Sequence, residues 1–207
     1  MPNFILPLLL LLLSILCNSG AGDLLRYRNS NSGVYKVCKK TSYPELCIQY
    51  LSIFPKSVTQ SPKKTANAGL LVSLYRVQKT RSFIKKAAVK IKAMKRRDYG
   101  VMQDCLEVFS DEVSLLSESI IELRHMGLGR QMEGDVECDI ACHVFNIQSS
   151  LSAALSDAST CAEEFDEFLK KKSMGKLMAT IKAKALNAEQ ATAVGLDLFC
   201  QFAKCST

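Results

Sequence analysis

Beyond residue 60 the apolar positions recur at helical intervals in four long segments. The most regular runs from about Tyr99 to His125. There Met102, Leu106, Phe109, Val113, Leu116, Ile120 and Leu123 alternate steps of four and three. The next, from about Val136 to Leu155, carries Val136, Ile140, Val144, Ile147, Leu151 and Ala154. Upstream, about Thr65 to Lys92 presents Leu70, Leu74, Val77, Ile84, Ala88 and Ile91, interrupted by Arg81. Downstream, about Lys176 to Phe202 presents Met178, Ile181, Ala185, Ala188, Phe199 and Phe202, weakened by Thr192 and Gly195 on the same stripe. Each pattern predicts an amphipathic helix whose apolar face seeks a shared core. Gly127, Gly129 and Gly134 punctuate the middle link, and short links favour antiparallel neighbours. The expected fold is therefore all-α: an up-down-up-down four-helix bundle.

The first 60 residues read differently. Val34 to Phe54 holds two short apolar patches separated by Thr41, Ser42, Tyr43 and Pro44. Pro44 suits a first helical turn, with Thr41 or Ser42 as cap. This predicts an N-terminal α-hairpin extension across which Cys38 and Cys47 face each other. Phe4 to Cys17 is almost wholly apolar, too short to span a bilayer comfortably, and followed by Ser19, Gly20, Ala21 and Gly22. The expected organisation is a secretory signal peptide over 1–21, a flexible leader over 22–33, the helical hairpin over 34–60 and the bundle over 61–207. It places the mature chain outside the cell, with no membrane segment after signal removal.

Secretion changes how the cysteines read. Cys17 leaves with the signal, and eight remain: Cys38, Cys47, Cys105, Cys138, Cys142, Cys161, Cys200 and Cys205. An even number in an oxidising compartment points to a disulfide-stapled fold, but eight cysteines allow 105 connectivities. Antiparallel geometry narrows them. Cys105, near the start of the second long helix, meets Cys161, just past the expected end of the third. A bridge closing about 56 residues contributes roughly 4 kcal/mol in the chain-entropy treatment. Cys138 and Cys142 start the third helix and Cys200 and Cys205 end the fourth, so these also meet. Nested antiparallel pairing predicts Cys138–Cys205 and Cys142–Cys200.

Several short motifs then align with a known family. The hairpin reads Cys38-Lys-Lys-Thr41-Ser-Tyr43-Pro44-Glu-Leu-Cys47. The second long helix reads Asp104-Cys105-Leu106-Glu107, then Ser110-Asp111-Glu112-Val113. The third reads Asn146-Ile147-Gln148, then Ser152-Ala153-Ala154-Leu155, then Thr160-Cys161. Over about residues 34 to 204 the chain resembles the plant invertase and pectin methylesterase inhibitors, and the Asn-Ile-Gln and Ser-Ala-Ala-Leu run resembles the methylesterase branch more. The resemblance implies bridges Cys38–Cys47 and Cys105–Cys161. It also implies one-to-one binding over the substrate cleft of pectin methylesterase in the plant cell wall, with acid invertase as the alternative target. Three departures stand out: Ser150 where the family commonly has Trp, Glu164 where a Gly usually precedes Phe165, and the additional Cys138, Cys142 and Cys205.

Charge sharpens the expected surface. The net charge is +7, but it is segregated. From Arg76 to Arg97 there are ten Lys or Arg and no acid; from Asp98 to Glu167 there are sixteen Asp or Glu against only Arg124 and Arg130. An acidic half would steer a basic enzyme toward it. The candidate target contacts are Asp111, Glu118 and Glu122 on the second long helix and Gln148 on the third, with Thr160 added by its match to the family motif. Against them stands the plainer reading that these are solvated helix faces. A different class of protein, a non-inhibitory wall protein, would use Lys85, Lys86, Lys90, Lys92, Lys95, Arg96 and Arg97 on the basic first helix for weak pectate binding. Nucleic acid is disfavoured by secretion and by the lack of a reading motif. No nucleophile elbow, phosphate loop or zinc-protease motif occurs, so no enzyme is expected, nor any cofactor. Cys138, Cys142, His143 and Cys200 imitate a zinc set, but disulfides are the stronger expectation and no metal is assigned.

Overall fold

The computed structural model describes residues 32–93, 99–126, 140–169 and 175–205. The expected signal peptide, most of the leader, Val136 and Cys138 lie outside the described residues. Among the described residues every regular element is a helix: α1 (Ser32–Cys38), α2 (Pro44–Leu51), α3 (Lys56–Thr59), α4 (Pro62–Ala93), α5 (Tyr99–His125), α6 (Ile140–Leu169) and α7 (Gly175–Ala203). The four long helices close a ring in which α4 packs on α5, α5 on α6, α6 on α7 and α7 back on α4. This is the up-down-up-down bundle.

Local chemistry sets the helix ends. Ser61 precedes Pro62 and its Oγ accepts from the Lys64 N–H at 3.4 Å, so a capping serine and a first-turn proline start α4 together. At α2 the expected cap is absent. Tyr43 occupies the N-cap position with no side-chain cap bond. Thr41 instead donates to the Cys38 carbonyl at 2.8 Å, closing α1, and the Ser42 N–H donates to Asp197 Oδ2 of α7 at 2.6 Å.

The main core contains Leu70, Val77, Ile84, Ile91, Phe109, Leu116, Leu123, Ile147, Leu151, Phe165, Met178, Ile181 and Phe199, all buried. The α5 stripe is rotated slightly from the expected one, and the α6 stripe keeps Ile147, Leu151 and Ala154 buried but departs at its ends. On α5 the buried positions are Met102, Cys105, Phe109, Glu112, Leu116, Ser119, Ile120 and Leu123, while Leu106 and Val113 are only partly covered. Cys105, bridged to Cys161, sits at the centre of that face. On α6, Ile140 is 66% exposed rather than core, and the helix does not stop near Leu155 but continues to Leu169. Cys161 therefore lies within α6, followed on its buried side by Ala162 and Phe165.

The α4–α7 contact is unusually close. A Cβ on Gly195 would lie 2.7 Å from Ser73 Oγ and 3.2 Å from Leu70 Cδ2; one on Gly69 would lie 2.7 Å from Leu198 Cδ1. Ser73 uses that proximity to donate to the Ala191 carbonyl at 2.7 Å, and Thr80 donates to the Lys184 carbonyl at 3.2 Å. Of the two residues that weakened the α7 stripe in sequence, Gly195 is thus what lets α4 and α7 approach, while Thr192 turns to Glu112 of α5. The hairpin covers this same side. Val34, Cys38, Cys47, Tyr50 and Leu51 form a second core with Ala68, Val72, Ala191, Val194 and Leu198. Asn187 Nδ2 donates to Tyr50 Oη at 3.2 Å and Gln201 Nε2 to the Val37 carbonyl at 3.3 Å.

Cys38 is bonded to Cys47 and Cys105 to Cys161, with Cα separations of 5.4 and 5.2 Å. The nested pairs Cys138–Cys205 and Cys142–Cys200 do not form. Cys200 is bonded to Cys205, their Cα atoms 4.9 Å apart. The reason is the end of α7. Lys204 turns into the left-handed region at φ 55° and the Cys205 N–H reaches back to the Cys200 carbonyl at 3.3 Å. That six-to-one closure is a Schellman-type stop, and it folds Cys205 over Cys200 before any neighbouring helix is needed. Cys142 is itself disulfide-bonded.

Candidate functional site

The side of the ring opposite the hairpin is the α5–α6 seam, and it carries the acidic half of the chain. Its register follows from the antiparallel pairing. Asp104 acts electrostatically on Glu164, and Asp111, seven residues on, acts on Asp157, seven residues back. Eleven residues further along α5, Glu122 meets α6 again: Asn146 Nδ2 donates to its Oε1 at 3.1 Å, and His143 Nδ1 lies 3.0 Å from the same oxygen. Two of these three crossings therefore oppose carboxyl to carboxyl. The cost is visible in the proton affinities. Asp157 is held above the ordinary aspartate range, first by partial burial and then by the Asp111 charge. Glu164 is raised likewise, first by burial and then by Asp104.

The five candidate contacts are distributed over this side. Asp111, Glu118 and Glu122 follow one another by seven and four residues and so share one stripe of α5. Asp111 and Glu118 are exposed, whereas Glu122 is half-buried and already engaged with α6. Gln148 is half-buried on α6. Thr160 is exposed, donates to the Ser156 carbonyl at 3.0 Å, and lies twelve residues from Gln148, about a third of a turn round the helix. The structure thus unites the three acids in one line and leaves Gln148 and Thr160 on separate lines of the neighbouring helix. Exposed apolar side chains flank the Glu122 crossing: Ile121 at 52% and Phe145 at 69%. Periodicity would have revealed both, since each falls off its helix's core stripe.

Glu112 is the residue that sequence reasoning passed over. It is completely buried between α5 and α7, where Thr192 Oγ1 donates to its Oε1 at 2.9 Å. Its Oε2 has no hydrogen-bond partner among the described residues. Burial pushes its carboxyl up to about 8; the Thr192 bond pulls down, and Asp157 and Glu189 push further up. It holds a proton at neutral pH and is sealed from any substrate, so it belongs to the architecture of the core and not to a reaction centre. The zinc set fails on the same kind of ground. Cys142 and Cys200 are both in disulfides and supply no thiolate, and His143 is turned to Glu122.

The class is that of a disulfide-stapled helical bundle with a hairpin on one flank and an acidic seam on the other. The comparison with known families gives the particular one. Residues 32–198 match the family Plant invertase/pectin methylesterase inhibitor, and the chain belongs to it. It is 30% identical over 203 residues to Pectinesterase inhibitor 9 of Arabidopsis thaliana, covering 98% of this chain and 95% of that protein. It is 31% identical over 174 residues to the 21 kDa protein of Daucus carota, covering 84% and 85% of the two chains. To Pectinesterase inhibitor 11 of Arabidopsis thaliana it is 30% identical over 167 residues, 81% of this chain and 78% of that one. The family is one of inhibitors, and the chain is not an enzyme. Among the described residues no helix is long and apolar enough to cross a membrane.

Proposed function

We propose that this chain inhibits pectin methylesterase by binding it one-to-one over the substrate cleft, with the α5–α6 seam as the contact face. The observation that carries the reading is the acidic α5–α6 face itself, where Asp111 and Glu118 stand exposed on one stripe with Ile121 and Phe145 exposed beside them. Like charges held together across a helix seam oppose folding, and a cationic partner relieves them. Relatives named as pectinesterase inhibitors supply the partner class. The working surface combines Asp111, Glu118, Glu122, Gln148 and Thr160 with the exposed Ile121 and Phe145, an arrangement of acids around apolar anchors that suits a protein interface. Residues 1–21 act as a signal peptide, 34–60 as a stapled hairpin and 61–207 as the inhibitory bundle, delivered to the extracellular space and the cell wall.

Titration of the purified mature chain against a basic pectin methylesterase and an acid invertase tests this. The expected result is loss of esterase activity with an end point at one equivalent and no effect on invertase. Inhibition of invertase alone would transfer the same face to the other target of the family; inhibition of neither would defeat the reading.

A further inference from the structure

A second charged surface lies away from the seam, where the C-terminal half of α4 runs past the start of α5. Arg81, Lys85, Val89 and Lys92 form one row along α4, and Tyr99, Gln103 and Leu106 form the facing row on α5. Between them is a groove of about 300 Å³. The buried Ala88 and half-buried Leu106 make its floor. Among the described residues no carboxylate lines it, and none of the three cations has an acidic partner. Steps of four and seven residues place the charges about 6 and 10 Å apart along a straight line. Lys92 is held at the mouth, its Nζ 5.5 Å from the centre of the Tyr99 ring.

The geometry points to a binding groove for a linear anionic oligosaccharide, one bearing carboxylates at regular intervals, as a de-esterified pectin chain does. Three features select that chemistry. The cations stand in file and not in a cluster, which fits an extended chain better than a single phosphate. They are exposed, and among the described residues of the groove a weakly acidic polymer meets no competing carboxylate. The opposite wall offers the Gln103 amide and the Tyr99 ring, a hydrogen-bonding group and an apolar face suited to sugar hydroxyls and C–H surfaces. Sixteen ångströms of α4, roughly the rise from Arg81 to Lys92, accommodates a short run of sugar units. The inference rests on the wall location proposed above but not on inhibition. Its consequence is retention of the protein on polymer that has already lost its methyl esters.

The test is binding of the folded mature chain to de-esterified oligogalacturonate, to the same oligomer fully methyl-esterified, and to linear polyphosphate, at about 0.1 M salt. The expected result is binding to the free acid and none to the ester. The triple variant Arg81→Gln/Lys85→Gln/Lys92→Gln should weaken it about tenfold, the scale of three exposed charge pairs. A control with equal charge loss on the hairpin side, Lys39→Gln/Lys40→Gln/Lys56→Gln, should change it less than about twofold. Gln103→Ala should weaken oligogalacturonate and leave polyphosphate unchanged. Equal losses from both triple variants, equal binding of the ester, or no binding at all would overturn the groove. Inhibition of the esterase is measured on the same samples. The groove variant should inhibit like the parent, so loss of binding with inhibition intact bears on this inference alone. Failure of the parent to inhibit while still binding the oligomer bears on the inhibitor reading alone.

Discussion

The two flanks of the bundle are held together by opposite means. On the α4–α7 flank the backbones approach over Gly69 and Gly195, side-chain hydroxyls bond across to Ala191 and Lys184 carbonyls, and the hairpin seals the outside with its own core. On the α5–α6 flank two of the crossings set acid against acid, and a disulfide spans the seam. The first flank is optimised for stability. The second carries a small electrostatic cost, where the proton affinities of Asp157 and Glu164 are raised first by partial burial and then by Asp111 and Asp104. The difference teaches where to look for a partner: the face the hairpin does not cover, with its exposed acids and apolar side chains, is the one open to another protein.

The largest effect expected comes from the carboxyl buried between the two flanks. Glu112 in the folded chain sits at about 8 against an ordinary 4.5. The folded state thus keeps a proton that the unfolded state has lost, and stability falls as pH rises across that window. Below pH 4.5 both states are protonated and the penalty vanishes; above about 8 both are ionised and it is complete. The fall attributable to this group is on the order of 5 kcal/mol. Glu112→Gln keeps the oxygen that accepts from Thr192 and removes the titration. Urea unfolding from pH 4 to pH 9 should show the parent losing stability through that range and the variant losing far less. Parallel curves would mean that Glu112 is solvated and that the bundle core is open to water there.

Next in size is the covalent tie. Cys105→Ser with Cys161→Ser releases a loop of 56 residues and should cost about 4 kcal/mol. Cys200→Ser with Cys205→Ser releases one of only 5 residues and should cost about half that. Melting of the two variants against the parent checks the order. If the terminal pair proved the costlier, the seam would be held by packing and not by its bridge.

The α4–α7 flank has its own counterpart. Gly195→Ala drives a methyl to 2.7 Å from Ser73 Oγ, and should cost about 1–3 kcal/mol through overpacking. Ser73→Ala in the same chain removes the obstructing oxygen and should restore part of that loss, which a double-mutant cycle by chemical denaturation would measure.

These same residues mark what the sequence could and could not convey. The four amphipathic stretches and the Cys38–Cys47 hairpin were legible because each rests on periodicity or on spacing within one segment, and the Cys105–Cys161 bridge because antiparallel neighbours and the family resemblance both imply it. The rotation of the α5 stripe was not. Val113 and Glu112 are neighbours, and hydrophobicity alone chooses the valine; the glutamate is buried where Thr192 of α7 donates to it, a partner that a single helix cannot show. Gly195 and Thr192 looked like blemishes because a single helix cannot show the close neighbour that requires them. The pairing of Cys200 with Cys205 depends on the left-handed turn at Lys204, a residue with no glycine's signature to announce it. The acidic block was plain in the chain, but the opposition of Asp111 to Asp157 exists only once two helices take up their register.

The smallest effect on folding bears most directly on function. Asp157→Asn removes a half-buried carboxyl whose proton affinity is raised by burial and by Asp111. Relief of one like-charge contact across a largely solvated seam should stabilise the bundle by only about 0.3–0.5 kcal/mol. The same substitution lowers the negative potential that draws in a basic enzyme. It should slow association several-fold at low salt and have little effect near 1 M, where screening extends only about 3 Å. Stability by denaturation and association by stopped-flow inhibition, measured on one preparation, therefore move in opposite directions if the seam is a binding surface. A variant that is stabilised and inhibits at the parent's rate would reduce the seam to a tolerated clash, and the contrast between the two flanks would then concern packing alone.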